Sequence, residues 1–319
     1  MQGFQVLVLE LWTLYAVGVR LLRFRLLRAG ILLALGCLGF SATPGHASAQ
    51  KGASPYRCSQ GTGAEGGTLR VNQFTIEIKS EPGNEDAPCQ AIIRSPKGDI
   101  VFQYGDWGID VLSVTGKDVN GDGQPDAVLE GYSGGAHCCW TYSIVSLGRK
   151  PGLIRAFENR DDALFEDLKG NGRIEILVQD GTFDEFDRLA HPFSPFPLLI
   201  LRLEGDRFKD VGAEFRSTYD KEIRKWRHEI KAPSEEKFFH SNPAEVHDET
   251  DYLETECRVL LVVLDYLYSE RPKDAWKSLG ELWPAKDRER IRNEMLQQYC
   301  NGLRAELEVG ASPACKDLQ

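Results

Sequence analysis

The chain predicts an α+β fold, with an antiparallel β-rich repeat domain, partly β-propeller-like, over residues 68–215 and a mainly helical region over residues 216–319. Three observations carry this prediction. Apolar residues alternate with a period close to two from residue 68 to residue 211, an acidic turn recurs in the same strand context 49 residues later, and beyond residue 219 the apolar period lengthens to that of a helix.

Composition sets the class. With 42% hydrophobic and 10% aromatic residues among 319, the chain can bury a core rather than remain disordered. Residues 1–49 read as an export signal: Arg20, Arg23, Arg25 and Arg28 precede an apolar run over residues 31–40, and Ala47-Ser48-Ala49 supplies a small-residue cleavage pattern. That run is about half of the roughly 20 residues a bilayer span needs, so no membrane anchor is expected after cleavage. A second apolar stretch containing Glu10 precedes Arg20, which points to a translation start further in, and Gly36-Cys37 is a poor lipoprotein site because Ala34 stands where Leu is usual. Without residues 1–49 the chain has 34 basic against 47 acidic residues, a formal −13. Such a surface disfavours nucleic acid and anionic membranes. The expected location is periplasmic or secreted, where cysteines that meet form disulfides. Seven cysteines follow Cys37, and neighbours in chain order are expected to pair, Cys58 with Cys89 and Cys257 with Cys300, leaving an odd one.

Residues 50–67, rich in Gly, Ser, Ala and Thr, suit a flexible leader. Residues 68–79 alternate as a strand (Leu69, Val71, Phe74, Ile76, Ile78), and residues 90–94 and 99–104 form a hairpin across Ser95-Pro96-Lys97-Gly98. Strands are then expected at 110–114, 127–130, 140–147 and 153–157, and in a second unit at 163–165, 174–178, 197–203 and 208–211. A period near 50 residues with four strands per unit is the mark of a propeller blade or a related β-repeat. Two clear units, or three if residues 68–104 count as a degenerate one, leave the ring open, because closure takes roughly four or more blades. The helical region is the expected cover for the open end. There Tyr219, Ile223, Trp226 and Ile230 mark one amphipathic helix ended near Pro233, and residues 234–249 read as a polar loop. Residues 252–268, 272–282 and 287–307 read as further helices, and residues 264–283 resemble one tetratricopeptide-type hairpin.

The recurring turn carries the chemistry. Residues 118–126 place Asp118, Asn120, Asp122 and Asp126 at positions one, three, five and nine, with the backbone carbonyl of Gln124 at seven. Calcium takes six to eight oxygens, and this spacing wraps a short turn around one ion while Gly121 and Gly123 permit positive φ. Position twelve is Leu129 and both flanks are strand-like, which excludes an EF-hand. The pattern resembles the FG-GAP or VCBS repeat of integrin-like propellers and secreted bacterial proteins, over roughly residues 105–215. The resemblance implies a β-propeller-like domain with Ca2+ held by Asp118, Asn120, Asp122, Gln124 and Asp126. The second copy, residues 167–175, keeps Asp167, Asn171 and Glu175 but has Lys169 at a ligand position, and is expected to be a degenerate site stapled by that ammonium.

Two rival chemistries lie just downstream. Gly131, Ser133 and Gly135 satisfy the G-x-S-x-G spacing of a hydrolase elbow, with His137 nearby, but the elbow requires a helix after the serine and a strand is expected here. His137, Cys138 and Cys139 could serve a redox or metal site, although adjacent cysteines in a strand point to opposite faces, and a vicinal disulfide or a bridge elsewhere suits an exported protein better. His191, His228, His240 and His247 show no ligand spacing. Tyr104, Trp107, Tyr132, Trp140, Phe183 and Phe186 offer either a carbohydrate- or protein-binding rim or plain core packing. The expectation is a non-enzymatic, calcium-stabilised module that binds a protein or carbohydrate partner.

Overall fold

The computed structural model describes residues 56–59, 66–81, 83–135, 139–230, 232–243, 245 and 248–318. The export-signal and lipoprotein readings fall outside them. After β1 (Arg57–Ser59) come three antiparallel meanders of four strands each. The first joins β2 (Gly67–Val71), β3 (Phe74–Ser80), β4 (Cys89–Arg94) and β5 (Ile100–Asp106). The second joins β6 (Gly108–Val111), β7 (Asp126–Tyr132), β8 (Trp140–Ser146) and β9 (Gly152–Asn159). The third joins β10 (Ala163–Glu166), β11 (Glu175–Gln179), β12 (Leu198–Glu204) and β13 (Arg207–Asp210).

Residues 68–79 are therefore not one strand. Leu69 and Val71 point inward at odd positions and Phe74, Ile76 and Ile78 at even ones, and the change of parity is taken up by a tight turn in which Asn72 adopts φ +53. The leader is also corrected: β1 pairs with β6 (Cys58 opposite Ile109) as a fifth strand of the second sheet, and Cys58 is bridged to Cys89 of the first sheet with a Cα separation of 5.7 Å. One strand and one disulfide thus fasten the first two sheets together.

The sheets stack face to face, as blades do, without closing a ring. Ile76, Ile78, Ala91 and Ile93 of the first sheet pack on Ile109, Ala127, Leu129 and Val145 of the second. The alternate residues of the second sheet, Val128, Tyr142, Ile144 and Phe157, pack on Ile176, Val178, Leu199 and Leu201 of the third. Both faces of β7 are therefore buried, which is why Ala127, Val128 and Leu129 are apolar in succession, between the buried carboxyls of Asp126 and Glu130.

The helices cover the far face of the third sheet. They are α1 (Arg216–Glu229), α2 (Ala232–Phe239), α3 (Thr250–Tyr268), α4 (Pro272–Leu282), α5 (Arg288–Asn301) and α6 (Leu303–Glu306). The run from Val259 to Leu264 buries α3 on all sides, and Tyr219 of α1 donates its hydroxyl to the Leu198 carbonyl of β12 at 2.9 Å. Gly212 lets the chain turn from sheet to helix, since a Cβ there would lie 2.1 Å from the Tyr268 carbonyl oxygen. The polar loop expected over 234–249 contains α2, because Phe238 is fully buried against Tyr252 and Trp283 at ring distances of 5.1 Å. Pro233 lies in the first turn of α2, where its missing N–H breaks no helical bond.

The expected Cys257–Cys300 bridge is not formed. Cys300 pairs with Cys315, with 5.8 Å between the Cα atoms, because the C-terminal segment folds back onto α5. Cys257 keeps its thiol, buried on the inner side of α3 with Sγ 3.8 Å from the Ser194 carbonyl. No described helix is long and apolar enough to cross a membrane.

Candidate functional site

The first loop links β6 to β7 and folds around its own carboxylates. Asp118 Oδ1 accepts the N–H groups of Gly121 (2.7 Å) and Asp122 (3.1 Å), and its Oδ2 accepts that of Gly123 (2.8 Å). Asn120 Oδ1 accepts from Asp122 N, and Asp122 Oδ1 from Gln124 N at 2.7 Å. Gly121 and Gly123, both at φ +79, turn these N–H groups inward. The second loop repeats the scheme 49 residues on: Asp167 accepts from Asn171 N (3.0 Å) and Gly172 N (2.7 Å), and Asn171 Oδ1 from Arg173 N (3.0 Å). The Gly172 bond, foremost, holds the Asp167 carboxyl below the usual carboxylate range.

The two loops differ at their ninth position. Asp126 is fully buried at the start of β7; its Oδ2 accepts from Val119 N at 2.8 Å and Asn120 N at 3.3 Å, but Oδ1 has no hydrogen-bond partner. Burial pushes its carboxyl up to about 6, the two N–H bonds opposing and the charges of Asp122 and Asp118 adding to the rise. The matching Glu175 is also fully buried, but its Oε1 meets Arg202 of β12 at 2.8 Å from Nη2. Arg202 is the register neighbour of Glu175 on β12, whereas the register neighbour of Asp126 on β8 is Ser146. One loop thus holds a cation from its own chain; at the same place the other has a hydroxyl side chain and an oxygen that lacks a donor.

Each loop also touches the next layer. Asn120 O accepts Gly205 N at 2.9 Å from the β12–β13 turn of the third sheet. In the second loop, Arg202 continues to Glu214 at 3.1 Å, before α1, and Lys169 reaches the same carboxylate at 2.8 Å, with its ammonium 4.7 Å from the Phe215 ring centre. These bonds, Arg202 first, hold the Glu214 carboxyl down to about 2. The staple expected from Lys169 is corrected accordingly: Arg202 neutralises the buried carboxylate of the loop, while Lys169 extends along its outside to the helical region. Arg202 was detectable in the sequence as the one charge within the apolar run of residues 198–203.

Among the described residues, no three His, Cys, Asp or Glu side chains stand close enough together to hold a metal ion. In the first loop, Asp118 and Asp122 are turned onto backbone N–H groups. The donor set nevertheless suits calcium, since every side chain of the site offers oxygen and Asp126 presents a buried oxygen with no donor. An ion held by Asp118, Asn120, Asp122, Gln124 and Asp126 would supply the positive charge that Arg202 gives to the second loop.

Of the two downstream motifs, the described residues include Gly131, Ser133 and Gly135 of the first and Cys139 of the second. Ser133 and Cys139 close a turn, with Ser133 Oγ accepting Cys139 N at 2.7 Å and Cys139 O accepting Ser133 N at 3.1 Å, and strand β8 follows rather than a helix. Cys139 is disulfide-bonded, and His137 and Cys138 lie outside the described residues. Trp107, Tyr132 and Trp140 form one half-buried cluster, with ring distances of 6.5 and 4.7 Å, and Gly134 at φ +82 fits against Trp107 where a Cβ would be 2.9 Å from the indole. Phe183 is fully buried beside Phe186, so the six aromatics do not make one rim. His191 is hydrogen-bonded to Asp184, Nδ1 to Oδ1 2.8 Å, on the long β11–β12 connection.

Compared with known proteins, the chain matches no family model, no curated protein and no solved structure.

Proposed function

We propose that this is an exported, non-enzymatic binding or structural module whose stacked sheets are held by one calcium ion at the first loop, through Asp118, Asn120, Asp122, Gln124 and Asp126. The observation that carries this reading is the contrast between the two loops: Glu175 has Arg202, and Asp126 has an oxygen without a donor. The spacing of the motif supports it as well, since it resembles the calcium loop of the FG-GAP and VCBS repeats. Because Asn120 is bonded to Gly205 of the third sheet, an ion in this loop would stiffen the junction between the second and third layers. The second loop stays without an ion, since Arg202 and Lys169 occupy its electrostatic role.

Thermal unfolding tests this. With calcium at about a hundred times its dissociation constant, linkage adds about 2.7 kcal/mol, or roughly 5–10 °C in Tm for a domain of this size. EGTA should remove that increment, excess calcium should restore it, and Asp122→Ala should abolish the response. A melting curve indifferent to EGTA and calcium in the parent protein would overturn the reading.

A further inference from the structure

The ends of α5 and α6, with the segment that folds back after them, enclose a groove of about 700 Å3 bordered by Gln297, Asn301, Arg304, Glu308 and the Cys300–Cys315 disulfide. Its size is that of a small-molecule site, for which roughly 300–1,000 Å3 is usual. Glu308 also borders a second recess, of about 270 Å3, against the edge strands of the second and third sheets, where Arg155 of β9 and Arg207 and Phe208 of β13 stand. Arg155 lies over the Phe208 ring, 5.8 Å from its centre, which fixes the guanidinium at the mouth. Arg207 is exposed, and its register neighbour Glu204 is already taken by Lys209 at 3.6 Å and Arg173 at 4.0 Å.

Glu308 occupies this groove at a cost to the backbone. It stands at φ +56 in the turn that ends α6, its own N–H on the Ala305 carbonyl (3.1 Å) and that of Val309 on the Arg304 carbonyl (3.2 Å), a position glycine normally takes. Its carboxylate meets Arg155 Nη2 at 2.8 Å but is 75% exposed, and an ion pair so open to water contributes little to stability. The pair therefore marks a place for an anion rather than a tie that holds the fold. Deeper in, Arg304 is only 4% exposed; one terminal nitrogen serves Asp210 of β13, and the guanidinium carries five donors in all. Three arginines thus meet two carboxylates, one of them the weakly held Glu308, in a chain of formal charge −10.

We propose that this groove binds a small molecule ending in a carboxylate, of the kind a peptide C-terminus presents. The incoming carboxylate displaces Glu308 from Arg155 and is shared with Arg207, since a guanidinium fork matches two carboxylate oxygens. One carboxylate replaces another, so the charge balance of the groove is kept. The uncharged body of the ligand then lies along Arg304, Asn301 and Gln297, whose side-chain amides both donate and accept as peptide groups do. Among the described residues that border the larger recess there is no aromatic ring on which a sugar or a base could stack. The proposal rests on the reading of a binding module and gives it a ligand class, but it uses none of the calcium-loop residues.

Saturation-transfer NMR on the full chain tests this, with a mixture of N-acetylated tripeptides bearing free C-terminal carboxylates as the probe and the same mixture amidated as the control. The free acids should give a saturable signal and the amides one about tenfold weaker, because the charge-assisted bonds are lost. Arg155→Gln and Arg207→Gln should each weaken binding of the acids about tenfold at unchanged Tm. Glu308→Gln should strengthen it about two- to fivefold, because the competing carboxylate is gone. No signal from the acids would overturn the proposal, as would equal signals from acids and amides, or binding that Arg155→Gln leaves intact. Should Arg155→Gln lower the Tm, Glu308→Gln decides, since a damaged fold does not produce a gain: stronger binding upholds the groove and unchanged or weaker binding refutes it. Melting in EGTA tests the first loop without touching these residues, so the two readings fail separately.

Discussion

Arg202→Ala is expected to lower the free energy of unfolding by about 3–5 kcal/mol, the range for removing one partner of a buried ion pair. Both partners are buried, Glu175 completely and Arg202 to 5% exposure. Truncation leaves the Glu175 carboxylate between sheet and helices with only the Leu168 N–H, at 3.1 Å on Oε2, and it also unfastens Glu214 from β12. Loss of stability on this scale, seen as a shifted urea midpoint at unchanged slope, would show that the guanidinium stands where an ion would otherwise be needed. Replacing the pair together, Glu175→Leu with Arg202→Met, should recover most of the loss, because the penalty lies in the orphaned charge rather than in the absence of the bridge. Arg202→Ala with no measurable effect would remove the contrast on which the asymmetry of the two loops rests.

The second large effect belongs to the N-terminal fastening. Cys58 and Cys89 lie 31 residues apart, and a bridge over a loop of that length stabilises by about 3–4 kcal/mol through the unfolded chain. Converting both to Ala should cost about that much, and the loss should fall on the first sheet. Once β1 is free of Cys89 its strand pairing is the three residue pairs with β6, so hydrogen exchange should rise first in β1 and β2–β5 while the third sheet and the helices stay protected. Uniform loss of protection would show instead that all the layers unfold as one unit.

How far the sequence revealed this molecule follows from where its signals are local. The strand order of the second and third sheets, and the matched hydrogen bonds of the two loops, were legible because turn chemistry and alternation lie within a few residues of one another. The split between β2 and β3 was also written locally, as the change of parity between Val71 and Phe74, and the alternation taken as one strand hid it. The remaining features depend on contacts distant in sequence. Arg202 becomes the partner of Glu175 only through the β11–β12 register, Cys315 finds Cys300 only once the C-terminal segment turns back, and β1 joins the second sheet across the whole of the first. Phe238 turned a polar stretch into α2 because Tyr252 and Trp283 provide its pocket, and neither is a neighbour in the chain. The clamp of Arg290 on Asp187 left no trace in spacing, since one lies within a helix and the other on a β-connection.

Calcium bound per chain, measured by equilibrium dialysis on metal-stripped protein, tests the central claim most directly. The asymmetry of the loops predicts one ion for the parent protein, none for Asp126→Ala, and one still for Asp167→Ala. No bound calcium in the parent protein would contradict the claim that Asp126 awaits a cation, and two ions would contradict the claim that Arg202 has taken the place of the second.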